Sequence, residues 1–138
     1  MANLFKRISD VITANLNDLV DRVEDPERLI KQLIREMEEN INSAREGVID
    51  AVASEKQLAK ELESQRRQAE EWHGRARRAV ESGNEALARE ALMRKKDHDH
   101  IVANLEMSWE SARRTSERLK TQLRALEMKL EEARLKKG

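Results

Sequence analysis

The chain has 138 residues, with 27 lysines and arginines balanced by 27 aspartates and glutamates, no cysteine, one proline and four glycines. Charged residues make up 39% of it and aromatic residues 2%. That composition leaves out all-β folds, disulfide scaffolds and glycine-loop nucleotide folds, and points to long helices or coiled coil. Zero net charge also argues against direct nucleic-acid binding, which brings a basic excess.

The first predicted element is a helix over about 2–23. Leu4, Phe5, Ile8, Val11, Ile12, Leu16, Leu19, Val20 and Val23 fall within about half its circumference when wound at about 100° per residue. Asp10, Asn17, Asp18 and Asp21 take the other side with Lys6 and Arg7. This stripe is broader than a coiled-coil seam and carries the only Phe. With Lys6 and Arg7 at its front it suits an anionic phospholipid interface, where apolar burial and headgroup attraction add. Packing onto the rest of the chain or onto a sister subunit is the bland alternative. Charge interrupts the opening MANLFKRISDVITANL, so it is not read as a signal peptide. No run approaches the roughly 18 apolar residues of a membrane span. Absence of cysteine is compatible with a reducing cytosol. The expected address is cytoplasmic, with any membrane contact peripheral.

Two breaks follow. At Glu24-Asp25-Pro26-Glu27, Asp25 suits an N-cap and Pro26 the first helical position, where its missing N–H would lack a partner. At Ser82-Gly83-Asn84, Gly83 can end one helix in the left-handed region and Asn84 can open the next. The expected domains are an amphipathic membrane-binding helix (1–24) and a coiled-coil hairpin (25–138), with arms of about 26–82 and 84–136. Alternating steps of four and three give Ile30, Ile34, Met37, Ile41, Ala44, Val48, Ala51, Glu55, Leu58, Leu62, Gln65, Ala69, Trp72, Ala76 and Ala79. In the second arm they give Val102, Leu105, Trp109, Ala112, Ser116, Leu119, Leu123, Leu126, Leu130 and Ala133. That is a left-handed coiled-coil seam. The fold class is therefore all-α, a short amphipathic helix followed by a long antiparallel hairpin with arms of roughly 80 Å.

Folding at Gly83 sets Trp72 opposite Arg94, and Trp109 opposite Gln57 and Leu58. Between 84 and 101 the stripe of Leu87, Ala88, Ala91 and Leu92 is interrupted at Arg94 or Lys95, so a looser region is expected there. Gly47 and Gly74, inside the first arm, are read either as sites of close helix approach, the reading slightly preferred, or as tolerated bends. So thin a hairpin has little core per residue and should gain from self-association into a homo-oligomer.

No catalytic, cofactor-binding or metal residue is assigned. His98 and His100 project about 200° apart on a helix and cannot close on one ion. They are read as solvated surface, as is His73. Serines and histidines sit on rods without a pocket, and no phosphate loop or nucleophile elbow occurs. Arg66-Arg67, Arg75-Arg77-Arg78 and Arg113-Arg114 are interleaved with glutamates, the pattern of a charge-laced coiled-coil surface.

Phe5-Lys6-Arg7, Ala14-Asn15-Leu16-Asn17, Leu19-Val20-Asp21-Arg22 and Glu24-Asp25-Pro26-Glu27-Arg28-Leu29-Ile30 together resemble the opening of the phage-shock-protein A and vesicle-inducing-protein (PspA/Vipp) family, which is related to ESCRT-III. Trp72, followed by Leu87-Ala88-Arg89-Glu90-Ala91-Leu92, resembles its hairpin-tip region. The resemblance implies a peripheral membrane protein that binds anionic or stressed bilayers on the cytoplasmic face of the inner membrane through its first helix. It also implies polymerisation into rings or rods that protect or remodel membrane. In the phage-shock branch it further implies restraint of an AAA+ transcriptional activator through the hairpin. Family chains continue with further helices, whereas this sequence stops at Leu135-Lys136-Lys137-Gly138, as a fragment or a short member.

Overall fold

A computed structural model of the chain describes residues 13–137. Their helices are α1 (Leu16–Asp21), α2 (Pro26–Glu81) and α3 (Glu85–Lys137), and α2 and α3 pack against each other as an antiparallel hairpin. Contacts divide the chain into two compact units: Met1–Ala51 with Thr115–Gly138, and Val52–Arg114.

Each helix boundary has a local cause. The Asp25 carboxylate accepts from Arg28 N at 3.2 Å, and its carbonyl accepts from Leu29 N at 3.2 Å, so α2 starts capped with Pro26 in the position that needs no N–H donor. At the far end of α2, Gly83 has φ +74°. Its N–H donates to the Val80 carbonyl at 3.0 Å and the Asn84 N–H to that of Ala79 at 2.9 Å, the paired closing bonds of a Schellman turn. The Ser82 hydroxyl reinforces it by donating to the Arg78 and Ala79 carbonyls. Asn84 then turns round as the N-cap of α3, its side-chain oxygen accepting from Leu87 N at 3.1 Å. One residue closes a helix and opens the next.

The first unit has a core of large side chains. Met37, Ile41 and Ala44 of α2 cluster with Leu126, Leu130 and Ala133 of α3 and with Leu16 of α1; Leu33, Ile34 and Leu123 pack at its margin. Val48 is half-buried, and Leu119 and Leu126 are among the most deeply buried side chains. Ion pairs Arg45–Glu127 (3.7 Å) and Arg134–Glu38 (3.2 Å) flank the seam. Ser116 sits in the seam at 0% exposure, and its hydroxyl has no hydrogen-bond partner among the described residues.

The second unit is built differently. Its buried residues are Leu62 and five alanines, Ala69, Ala76, Ala79, Ala88 and Ala91. Leu58, Trp72, Val102, Leu105 and Trp109 are half-buried. Ion pair Arg66–Glu106 (2.7 Å) crosses between the arms, and Arg94 lies 5.5 Å from the Trp72 ring centre, the partner that folding at Gly83 sets.

Three expectations are corrected. The helix foreseen over 2–23 does not run unbroken, because Ala14 and Asn15 leave the helical path and Asn15 is extended (φ −89°, ψ 103°). The loosening foreseen between 84 and 101 is absent: Ala88, Ala91, Lys95 and His98 are all buried or half-buried at alternating steps of three and four, which carries the seam through to Val102. Gly47 and Gly74 are not close-approach sites among the described residues. A Cβ at Gly47 would meet nothing within 4 Å, and at Gly74 only the Arg78 guanidinium, at 3.6 Å.

Candidate functional site

The residues singled out for membrane contact divide into three groups. Leu4, Phe5, Lys6, Arg7, Ile8, Val11 and Ile12 lie outside the described residues, as do the side chains of Leu19 and Val20. Leu16 is described, and it does not face outward. It is 2% exposed, packed in the cluster with Met37, Ile41, Leu126 and Leu130. A leucine so enclosed is unavailable to lipid in this conformation, and at this position the stripe packs onto the rest of the chain.

The cause lies one residue upstream. The Asn15 side-chain oxygen accepts from Asn17 N at 3.1 Å and Asp18 N at 3.3 Å, so Asn15 starts a new helix instead of continuing an old one. The Lys136 ammonium donates to the Asn17 side-chain oxygen and ties α1 to the last turn of α3. Asn15 therefore separates an anchored α1 from the apolar and basic residues that precede it.

A concavity lies beside the Ser82-Gly83-Asn84 turn. Trp72, Arg75, Arg78, Ala79, Ser82, Leu87, Glu90 and Ala91 line a cleft of about 440 Å³. The Arg75 guanidinium stacks 4.5 Å from the Trp72 ring centre while pairing with Glu71 at 2.9 Å, and Arg94 approaches the same ring. The sequence reading placed Trp72 in the seam opposite Arg94 but did not reach the Arg75 contact, for which the arginine three residues beyond Trp72 was the available signal.

His98, read as solvated surface, is half-buried in the seam, with Nδ1 2.7 Å from Gln65 Oε1. Two polar residues that look like seam defects on separate arms thus satisfy each other. His100 is exposed. Among the described residues no three His, Cys, Asp or Glu side chains gather as metal ligands.

The arginine clusters are largely paired. Arg67 meets Glu63, Arg75 meets Glu71, and Arg66 meets Glu106. Glu110 accepts from Arg113 through two nitrogens (2.6 and 3.2 Å) and lies 3.3 Å from Arg114. The Arg113 hydrogen bond, with both guanidinium charges, holds the Glu110 carboxyl below the usual carboxylate range. Exposed pairs of this kind add little stability one by one; together they occupy cations that a polyanion would need.

No helix among the described residues is long and apolar enough to cross a membrane. The class so defined is an all-helical hairpin with a short anchored helix at its base and an amphipathic sequence ahead of it. The chain belongs to the PspA/IM30 family, which it matches over residues 3–138. It is 40% identical over 134 residues to the membrane-associated protein Vipp1 of Nostoc punctiforme, covering 97% of this chain and 52% of the relative. It is 36% identical to a phage shock protein A homolog of Deinococcus radiodurans, covering 98% and 60%, and 31% identical to protein LiaH of Bacillus subtilis, covering 97% and 60%. The chain thus spans about half the length of the Vipp1 relative and somewhat more of the other two. It is a member of a membrane-associated, stress-response family whose relatives are not named as enzymes.

Proposed function

We propose that the chain acts as a peripheral membrane protein that inserts residues 2–12 into anionic or stressed bilayers and self-assembles through its hairpin to protect or remodel them. The observation that carries this reading is the stripe Leu4, Phe5, Ile8, Val11 and Ile12 with Lys6 and Arg7 at its front. The Asn15 break supports it, because residues before the break can enter lipid while Leu16 keeps its place in the core. Membrane association of the Vipp1 relatives supports it from another direction. Self-association is supported by exposed apolar side chains, Ile49 and Val80 on α2 and Met93, Met107, Met128 and Leu135 on α3. The working site is the cytoplasmic face of the inner membrane.

Vesicle flotation tests insertion. Full burial of a Phe or Ile is worth about 1.5–3 kcal/mol, so Phe5→Glu and Ile8→Glu should each weaken binding to phosphatidylglycerol vesicles by about tenfold or more. Flotation of both variants at wild-type level would sink the insertion reading.

A further inference from the structure

The chain holds five methionines and no cysteine, so methionine is its only source of sulfur. Met1 lies outside the described residues, and Met37 is a core residue at 2% exposure. Met93, Met107 and Met128 are 69%, 74% and 74% exposed. Methionine ranks with the residues most often buried, so three of them standing in water are informative. They also share a position. Met107 is two heptads beyond Met93, and Met128 three heptads beyond Met107, which sets all three at the heptad position of α3 turned farthest from its seam. The matching position of α2 is mostly charged, with Glu39, Glu46, Lys60, Arg67 and Glu81.

We propose that Met93, Met107 and Met128 form a reversible oxidation site, and that their sulfoxides release the chain from self-association. The oxidant class is a hydroperoxide. One of its oxygens passes to the thioether sulfur as the O–O bond breaks. An S–O bond forms, the sulfur gives up two electrons, and hydrogen peroxide leaves as water.

Exposure gives the oxidant access to these three sulfurs, whereas Met37 reacts only when the core opens. No thiol in the chain competes for the oxidant. The outer heptad position then decides what oxidation does. A sulfoxide oxygen placed there points into water and away from the seam, so the hairpin keeps its packing while its surface changes. Apolar surface is what is lost. Burying a methionine at a contact is worth about tenfold or more in association, so sulfoxides along this row weaken an assembly that uses it. Assembly also shields the row, so peroxide takes free subunits and drains the assembled ones by mass action. The release rests on the self-association proposed above, whereas the site of oxidation does not.

Mass mapping of the full chain, treated with hydrogen peroxide at high dilution, tests the site. Met93, Met107 and Met128 should each gain one oxygen at least about tenfold faster than Met37, with helicity unchanged. Equal rates at Met37, or loss of helix, overturn the proposal. Sedimentation tests the release. Wild type should shift to smaller species after peroxide and return after treatment with methionine sulfoxide reductases. The chain carrying Met93→Leu, Met107→Leu and Met128→Leu should assemble like wild type and stay assembled in peroxide. A leucine variant that still comes apart, or an oxidised wild type that stays assembled, overturns the proposal. Should the sulfoxides form on a chain that is monomeric before oxidation, the self-association reading falls and takes the release with it, while the oxidation site stands.

Discussion

The two units of the hairpin share a heptad pattern yet fill it differently. Residues 13–51 and 115–137 bury Met37, Ile41, Leu119, Leu126 and Leu130, and there Leu16 of α1 supplies a third side to the cluster. Residues 52–114 bury one leucine and five alanines, with tryptophan, histidine and glutamine half-buried beside them. Two helices alone enclose only a narrow stripe, so large side chains placed there stay partly wet; a third element gives them depth. The second unit relies instead on local chemistry: the closing bonds at Gly83, the Asn84 cap and the His98–Gln65 contact.

The largest test of that contrast is a pair of truncations. Leu126→Ala should lose about 3–5 kcal/mol and Leu62→Ala about 2–3 kcal/mol, because the cost of a cavity grows with the enclosure around it. Urea unfolding followed by circular dichroism measures both. Equal losses, or a larger loss at Leu62, would show that α1 adds no depth.

Much of this contrast can be seen in the residues themselves, and its limits are instructive. Asp25-Pro26 and Ser82-Gly83-Asn84 are visible because proline and glycine have few conformational options, and the seams are visible because apolar residues recur for many heptads. The passage through Lys95 and His98 hides itself, since a polar seam residue is recognisable only once its partner on the other arm is known. Asn15 hides for a related reason. Ala-Asn-Leu-Asn continues an amphipathic pattern without interruption, and nothing local reveals that Asn17 is held by Lys136 from far along the chain. Of the candidate membrane stripe, the sequence supplies the pattern of residues 4–12, while the enclosure of Leu16 is a tertiary fact.

Glycine substitutions sharpen the comparison at a middle scale. Gly83→Ala forces a Cβ into positive φ and should destabilise by about 1–2 kcal/mol, weakening the turn on which the second unit depends. Gly47→Ala should do the reverse. Its site is ordinary helix with open space where the Cβ would go, so the change should stabilise the first unit by about 1 kcal/mol. Thermal unfolding of the two variants beside wild type reads both signs. A destabilising Gly47→Ala would reveal a neighbour seated against that face.

The smallest expected effect is electrostatic and belongs to the second unit. Arg113 and Arg114 lower the Glu110 pKa in the folded chain relative to the unfolded one. A carboxylate so shifted adds stability above the ordinary glutamate value of about 4.3, and the addition fades as pH falls through the lowered folded value. Wild type should therefore lose melting temperature on acidification slightly faster than Glu110→Gln, and the two curves should close up below that value. Since Glu110 stands at the surface, added salt should shrink the difference at neutral pH. Parallel curves across the acid range would mean that the guanidinium fork at Glu110 holds a geometry without contributing to the stability of the turn-proximal unit, leaving its alanine packing and its capped turn to account for all of it.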